Sequence, residues 1–201
     1  IEFYNYGLPG IGNVAISSNI VYADAVHNFQ ETDLICIVWS HWNREDRVKK
    51  NNWMAGGNIF NNPFYDIRFI RKYWDFDNDI IKNSTAIILT NKAYKDIIKF
   101  QGHIADPGDF ETPYQNYDKN KNERFKTYLP LLHSQNVFKD YDCYNFDDHP
   151  SVKGHLDYVQ DIIYPDLNLQ LNAETVGYYN TLHNELKKIG NKKKISKFLE
   201  G

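Results

Sequence analysis

The apolar positions of this chain recur with a helical period in five places and run together without a break in one. From Asn13, the expected N-cap, Val14, Val21, Ala25 and Phe29 fall on one helical face. Asp33-Leu34-Ile35-Cys36-Ile37-Val38-Trp39 comes next as a short apolar run. Such a run after a helix predicts a buried parallel strand, with Cys36 as a small buried side chain. Ahead of the helix, Ile1 to Tyr6 reads as the end of a strand, and Gly7, Pro9, Gly10 and Gly12 as a turn. Strand, turn, helix and strand predict an α/β layered domain.

The stretch from Ser40 to Asn62 is polar, carries Gly56-Gly57, and reads as a loop. Asn62-Pro63 predicts a helix start, with Phe64, Ile67, Ile70 and Trp74 as the apolar face. A longer helix is expected over about 79–100, with Ile80, Ile87, Tyr94, Ile97 and Ile98 as its stripe. Residues 101–128 are polar and broken by Pro107, Gly108 and Pro113, a pattern of lids, binding surfaces or disorder. A fourth strand is expected before Asp147, yet 101–146 shows no clear one. A helix after Pro150 uses Val152, Leu156, Val159 and Ile163 and is expected to stop at Pro165. The last uses Ala173, Val176, Leu182, Leu186 and Ile189 and stops at Gly190. No repeat or linker divides the chain, so residues 1–190 read as one domain with a basic tail over 191–201. That tail suits either a solvated end or contact with an anionic partner.

Composition removes several classes. With 42% hydrophobic and 24% charged residues the chain is globular. No apolar run approaches the roughly 18–20 residues of a membrane helix. A formal charge of −3 argues against a nucleic-acid surface. Two cysteines, Cys36 and Cys143, make no disulfide framework and no zinc spacing.

Three segments collect chemistry at predicted strand ends, where α/β sheets bind ligands. The turn from Gly7 to Asn13 can expose backbone N–H groups to an anion or oxyanion, or serve only as a tight turn. In Ser40-His41-Trp42-Asn43-Arg44-Glu45-Asp46-Arg47, the Asn43 carboxamide can donate to an oxyanion. There Arg44 and Arg47 beside Glu45 and Asp46 read as a local ion-pair network rather than a phosphate site. In Asp147-Asp148-His149-Pro150 through Gly154-His155, a histidine precedes a helix and carboxylates precede the histidine. A carboxylate there can fix the imidazole tautomer for general-base work. His155, farther into the helix, reads as structural.

In this order the three segments resemble the SGNH (GDSL-type) hydrolase family, over about residues 3–165. Asn5-Tyr6-Gly7-Leu8-Pro9-Gly10 looks like the second motif, with Gly10 as its glycine. Ser40-His41-Trp42-Asn43 looks like Gly-x-x-Asn, with Ser40 replacing the glycine. The Asp147–His155 block looks like the catalytic Asp/His motif. The family spaces its aspartate three residues before the histidine, a position held here by Phe146; Asp147 fits a shorter Asp-x-His variant, with Asp148 in reserve. The family's nucleophilic serine belongs upstream of Gly10, and Ser17, Ser18 and Ser40 do not fit that place. The chain opens on Ile1, so either the first motif is missing from it or this member has lost the nucleophile.

The resemblance implies a three-layer α/β/α sandwich with a short, mainly parallel sheet. It implies hydrolysis of an ester, such as an O-acetyl group on a carbohydrate, without cofactor or metal. His149 and Asp147 would be catalytic, with Gly10 and Asn43 forming the oxyanion hole. Trp42, Trp53, Tyr114 and Tyr117 would suit sugar contacts, or pack onto the domain. The alternative is an inactive SGNH-like domain used as a structural or carbohydrate-binding module, for example in a phage virion. A divalent site at Asp147, Asp148, His149 and His155 is a weaker rival, because the two histidines are not an i, i+4 pair.

Overall fold

The computed structural model describes residues 2, 4–8, 10–41, 44–50, 52–58, 65–104, 142–144 and 147–190. The chain divides into two compact units, Ile1–Val137 and Phe138–Gly201.

In the first unit, helix α1 (Asn13–His27) leads to strand β1 (Ile35–Trp39). Next come a hairpin, β2 (Arg44–Lys49) and β3 (Asn52–Asn58), then helices α2 (Ile67–Tyr73) and α3 (Phe76–Ala93) and strand β4 (Ile98–His103). β1 and β4 pair in parallel, from Ile35 opposite Ile98 to Trp39 opposite His103, with an irregularity after Ile35. Parallel partners need a crossover, and α2 and α3 lie within this one. The chain is thus a mixed helix–strand protein with a short parallel pair, compatible with an α/β class.

The core sits where α1 and α3 cover this pair. Ile37, Trp39 and Ile87 are buried together, and Ile16, Ile20, Ile35, Trp74, Ile88 and Ile98 pack around them. The Trp39 indole N–H donates to Gln101 Oε1 at 2.9 Å, so the ring buries its apolar body without stranding its donor. Between α1 and α3, the Ser17 and Thr90 hydroxyls are 2.6 Å apart and Tyr94 OH donates to Asp24 Oδ2 at 3.0 Å.

Several expectations are corrected here. α1 turns Ala15 and Ala23 inward, with Ile16 and Ile20 on the core, while Val21 and Ala25 are exposed. α1 carries apolar residues all around, so period alone does not choose its inner face. β1 buries Ile37 and Trp39 but exposes Cys36 and Val38, because its side chains alternate across the pair and one face is covered. Residues 4–8 hold no strand. The expected loop after Ser40 contains the β2–β3 hairpin, turned by Lys50 at φ 50° in the left-handed region. α2 starts at Ile67, where Asp66 accepts from the Arg68 and Phe69 N–H groups; Asn62, Pro63 and Phe64 lie outside the described residues. The long helix ends at Ala93, and Ile98, read as helical, opens β4. That is the missing fourth strand: β-branched residues after a turn pair with β1 where a helical stripe also fits.

In the second unit, β5 (Cys143–Tyr144) and β6 (Asp147–Pro150) pair antiparallel ahead of α4 (Val152–Tyr158). α4 continues through a π turn (Val159–Ile163) and α5 (Tyr164–Asp166), passing the expected stop at Pro165. In that turn the Tyr164 N–H reaches back to Val159 O, and the wider turn accommodates a ring that would crowd a regular one. α6 (Ala173–Ile189) is capped by Asn172 and ends as expected at Gly190, φ 59°. No helix among the described residues is long and apolar enough to cross a membrane.

Ile87 is fully buried and Leu89, two residues on, is 61% exposed. Ile87→Ala should therefore cost about 2–5 kcal/mol and Leu89→Ala less than about 0.5 kcal/mol in urea unfolding. Equal costs would place α3 in the wrong rotation.

Candidate functional site

The first unit gathers its polar groups where β1 ends and α1 begins. Gly12 is the N-cap of α1 and has no side chain to satisfy the first-turn amides. Asp46, from β2, meets two amides there: Oδ1 accepts from Gly12 N–H at 2.6 Å and Oδ2 from Ala15 N–H at 3.0 Å. The helix dipole favours that negative charge as well. Fit is tight, since a Cβ on Gly12 would lie 2.8 Å from Arg44 O and 2.8 Å from Asp46 Oδ2. Asn13, expected as the N-cap, is instead the first helical residue. Its buried carboxamide donates to Ser40 O at 3.1 Å and accepts from Ser40 N–H at 2.7 Å. Two-point pairing of one amide with one backbone residue ties the head of α1 to the end of β1.

Gly10, two residues before that cap, has φ 75°, a conformation L side chains rarely adopt. Its N–H makes no hydrogen bond among the described residues. Asp46 accepts from the Gly12 and Ala15 amides and not from this one.

The acids of the Ser40–Arg47 segment do not pair mainly with its own arginines. Glu45 receives Lys82 Nζ from α3 at 2.8 Å, with Arg47 Nε 4.0 Å away. Lys82 also meets Asp79 at 3.1 Å, and the Trp74 indole donates to Asp79 at 2.7 Å. Arg44 reaches Ile11 O at 3.4 Å, and Arg47 lies over the Tyr65 ring. Burial raises the Asp79 carboxyl against the opposing pull of Lys82 and Trp74. It raises Asp46 too, against the Gly12 and Ala15 amides and Lys82. For Lys82, burial disfavours the charge, but Asp79 and Glu45 outweigh it and the ammonium is held above its usual range.

In the second unit the Asp147-Asp148-His149-Pro150 backbone forms β6, with Tyr144 opposite Asp147 and Cys143 opposite Pro150. The side chains of Asp147, Asp148 and His149 lie outside what is described. The head of α4, directly after them, is firmly built. Ser151 is fully buried, caps α4 by accepting from Gly154 N–H at 3.1 Å, and donates to Asp142 Oδ2 at 2.5 Å. Its own N–H donates to Asp142 O at 2.8 Å. Buried His183, from α6, places Nε2 3.8 Å from the same carboxylate oxygen. His155 is exposed on α4.

Asn43, Trp42, Tyr114 and Tyr117 lie outside the described residues. Trp53 is half-buried on β3, opposite Val48. No sequence signal points to Asp142 and His183: Asp142 stands five residues before the Asp147 segment without belonging to it, His183 lies on another helix, and no spacing links either to Ser151. Asp46 is visible along the chain as a charge, yet only the hairpin brings it to α1. No group of three His, Cys, Asp or Glu able to hold a metal occurs among the described residues. No family model, no curated protein and no solved structure matched the chain.

This geometry has two measurable consequences. Gly12→Ala should destabilise by about 1–3 kcal/mol, as overpacking does, read by urea unfolding. Asp79 binds its proton more tightly folded than unfolded, so its contribution to stability falls as pH rises from the ordinary value of 3.8 through the raised one. Asp79→Asn removes that titration. Its stability relative to wild type should therefore climb over the same window; a flat difference would refute the sign.

Proposed function

We propose that these residues belong to an SGNH-type ester hydrolase acting on an acylated carbohydrate, built as a three-layer α/β/α sandwich with a short, mainly parallel sheet. The Gly10 turn carries the reading. Its backbone N–H makes no hydrogen bond among the described residues and stands near the head of a helix that is locked to the end of a parallel strand. Backbone donors so placed suit a developing oxyanion. The α4 cap supports it too, because the helix begins directly after the segment that bears His149.

In this mechanism a nucleophilic serine attacks the ester carbonyl and His149 takes its proton, oriented by Asp147, with Asp148 in reserve. Gly10 N–H, the Asn43 carboxamide and the serine's own N–H hold the oxyanion. His149 then protonates the leaving alkoxide, and water repeats the sequence on the acyl-enzyme. Neither metal nor organic cofactor enters these steps. The described serines do not supply the nucleophile: Ser17 is bonded to Thr90, Ser18 lies within α1, Ser40 and Ser84 are buried, and Ser151 is a helix cap. The family carries that serine ahead of the Gly10 motif.

One observation favours the inactive, carbohydrate-binding alternative. Tyr65, Phe69 and Tyr73 form a row with ring centroids 5.0 Å apart at each step, and Phe69 and Tyr73 are exposed. Rows of exposed rings suit sugar contact without any chemistry. Such a module would bind acylated polysaccharide in a gel-retardation assay, weakened by Phe69→Ala, and would never label with an activated-serine probe.

Treating the protein from its native source with a fluorophosphonate should add one covalent adduct to its intact mass. Absence of an adduct favours the binding module. In a labelling protein, His149→Ala should abolish turnover with the fold intact. Asn43→Ala should lower kcat by about 10²–10³, the usual cost of one oxyanion donor. Full activity in His149→Ala would overturn the assignment.

A further inference from the structure

One surface of the first unit differs in charge from the chain as a whole. The net charge is −3, yet α2 and its cap, residues 66–73, hold Arg68, Arg71 and Lys72 against Asp66 alone. Asp66 is spent on the Arg68 and Phe69 N–H groups. Ile70 is the buried residue of this helix and the other six are exposed. Two rows run along the exposed surface. Tyr65, Phe69 and Tyr73 recur every four residues, and so do Arg68 and Lys72, each one position before a ring. Neither Arg68 nor Lys72 meets a carboxylate among the described residues. We infer that this double row, closed at the Tyr65 end by Arg47, binds an anionic polysaccharide, so that the carbohydrate this protein recognises is an acidic one. This rests on the carbohydrate reading above.

Ring orientation chooses the partner. The faces of an aromatic ring are electron-rich and its edges electropositive. Tyr65 and Phe69 stack at 5.0 Å with 8° between their planes, so each turns a face to the other. Phe69 and Tyr73 follow at 5.0 Å and 44°. Arg47 stands over the Tyr65 ring at 4.7 Å, and Lys72 over the Tyr73 ring at 4.9 Å. Rings and cations thus engage the negative faces, and Phe69 and Tyr73 show more edge than face beside a row of positive charge. Such a surface attracts carboxylates along its length. Single-stranded nucleic acid binds aromatic rows by stacking bases on open faces, and these faces are engaged. An acidic sugar chain is held without stacking, since its carboxylates and hydroxyls accept from Arg68, Lys72 and the Tyr73 hydroxyl as they pass.

The test is affinity electrophoresis of the full chain in gels holding polygalacturonate or its fully methyl-esterified, uncharged form. The acid form should retard the protein, the ester should not, and added salt should weaken the retardation by screening. Arg68→Gln with Lys72→Gln should weaken binding about tenfold, the upper end for two exposed charge pairs. Lys92→Gln with Lys95→Gln removes equal charge from exposed positions elsewhere and should leave binding within about twofold. Equal losses in the two double variants would overturn the assignment to α2. Equal retardation by acid and ester would overturn the acidic partner while leaving the carbohydrate reading in place. Tighter binding to a single-stranded oligodeoxynucleotide, or to phosphatidylserine vesicles, than to polygalacturonate would give the row another partner and overturn the proposal. Should neither gel retard a protein that a fluorophosphonate labels, the role of the row falls and the hydrolase reading stands; without a label, both fall.

Discussion

The contact between the Asp46 carboxylate and the first amides of α1 organises the first unit. Charge-assisted bonds of this kind are worth about 1.5–3 kcal/mol, and this one works with the helix dipole. It ties β2 to the head of α1 while Asn13 ties that head to the end of β1. Further along β2, Glu45 is held by Lys82 of α3, which is held in turn by Asp79. Two adjacent acids on one short strand thereby fasten both helices that cover the parallel pair. The polar hairpin is a brace for the hydrophobic core rather than a loose connection beside it.

That arrangement has a chemical consequence. A glycine turn before a helix is usually read as an anion cradle, because the orphan amides invite a ligand. Here the protein sets its own carboxylate at the helix head, on the Gly12 and Ala15 amides. A free anion at the helix head would have to displace Asp46. The second unit works by a related economy of donors and acceptors. Asp142 receives the hydroxyl and, through its backbone, the N–H of Ser151, so the cap of α4 is itself anchored.

Hydrolase and binding module make different demands on this scaffold. A hydrolase needs its oxyanion donors held to within about 0.5 Å. A binding module needs exposed rings and tolerates movement near Gly10.

Much of the local order is legible along the chain. Gly190 ends α6 because only a small residue takes a left-handed conformation without cost, and the apolar run at 35–39 makes a parallel strand because its length and branching suit nothing else as well. The three chemistry-bearing segments stand out by residue type and order. Partner choice is not legible. Val21 and Ile20 are equally apolar, and only packing against Ile37, Trp39 and Ile87 decides which faces inward. Ile98 suits a helix stripe as well as a strand until β1 offers it a ladder. Asp46 reads as half of an ion pair with its neighbours until the hairpin carries it to α1. Local propensity sets what a residue can do within a few positions, while burial, ladder pairing and the destination of a charge depend on segments dozens of residues away, which meet only when the chain has folded.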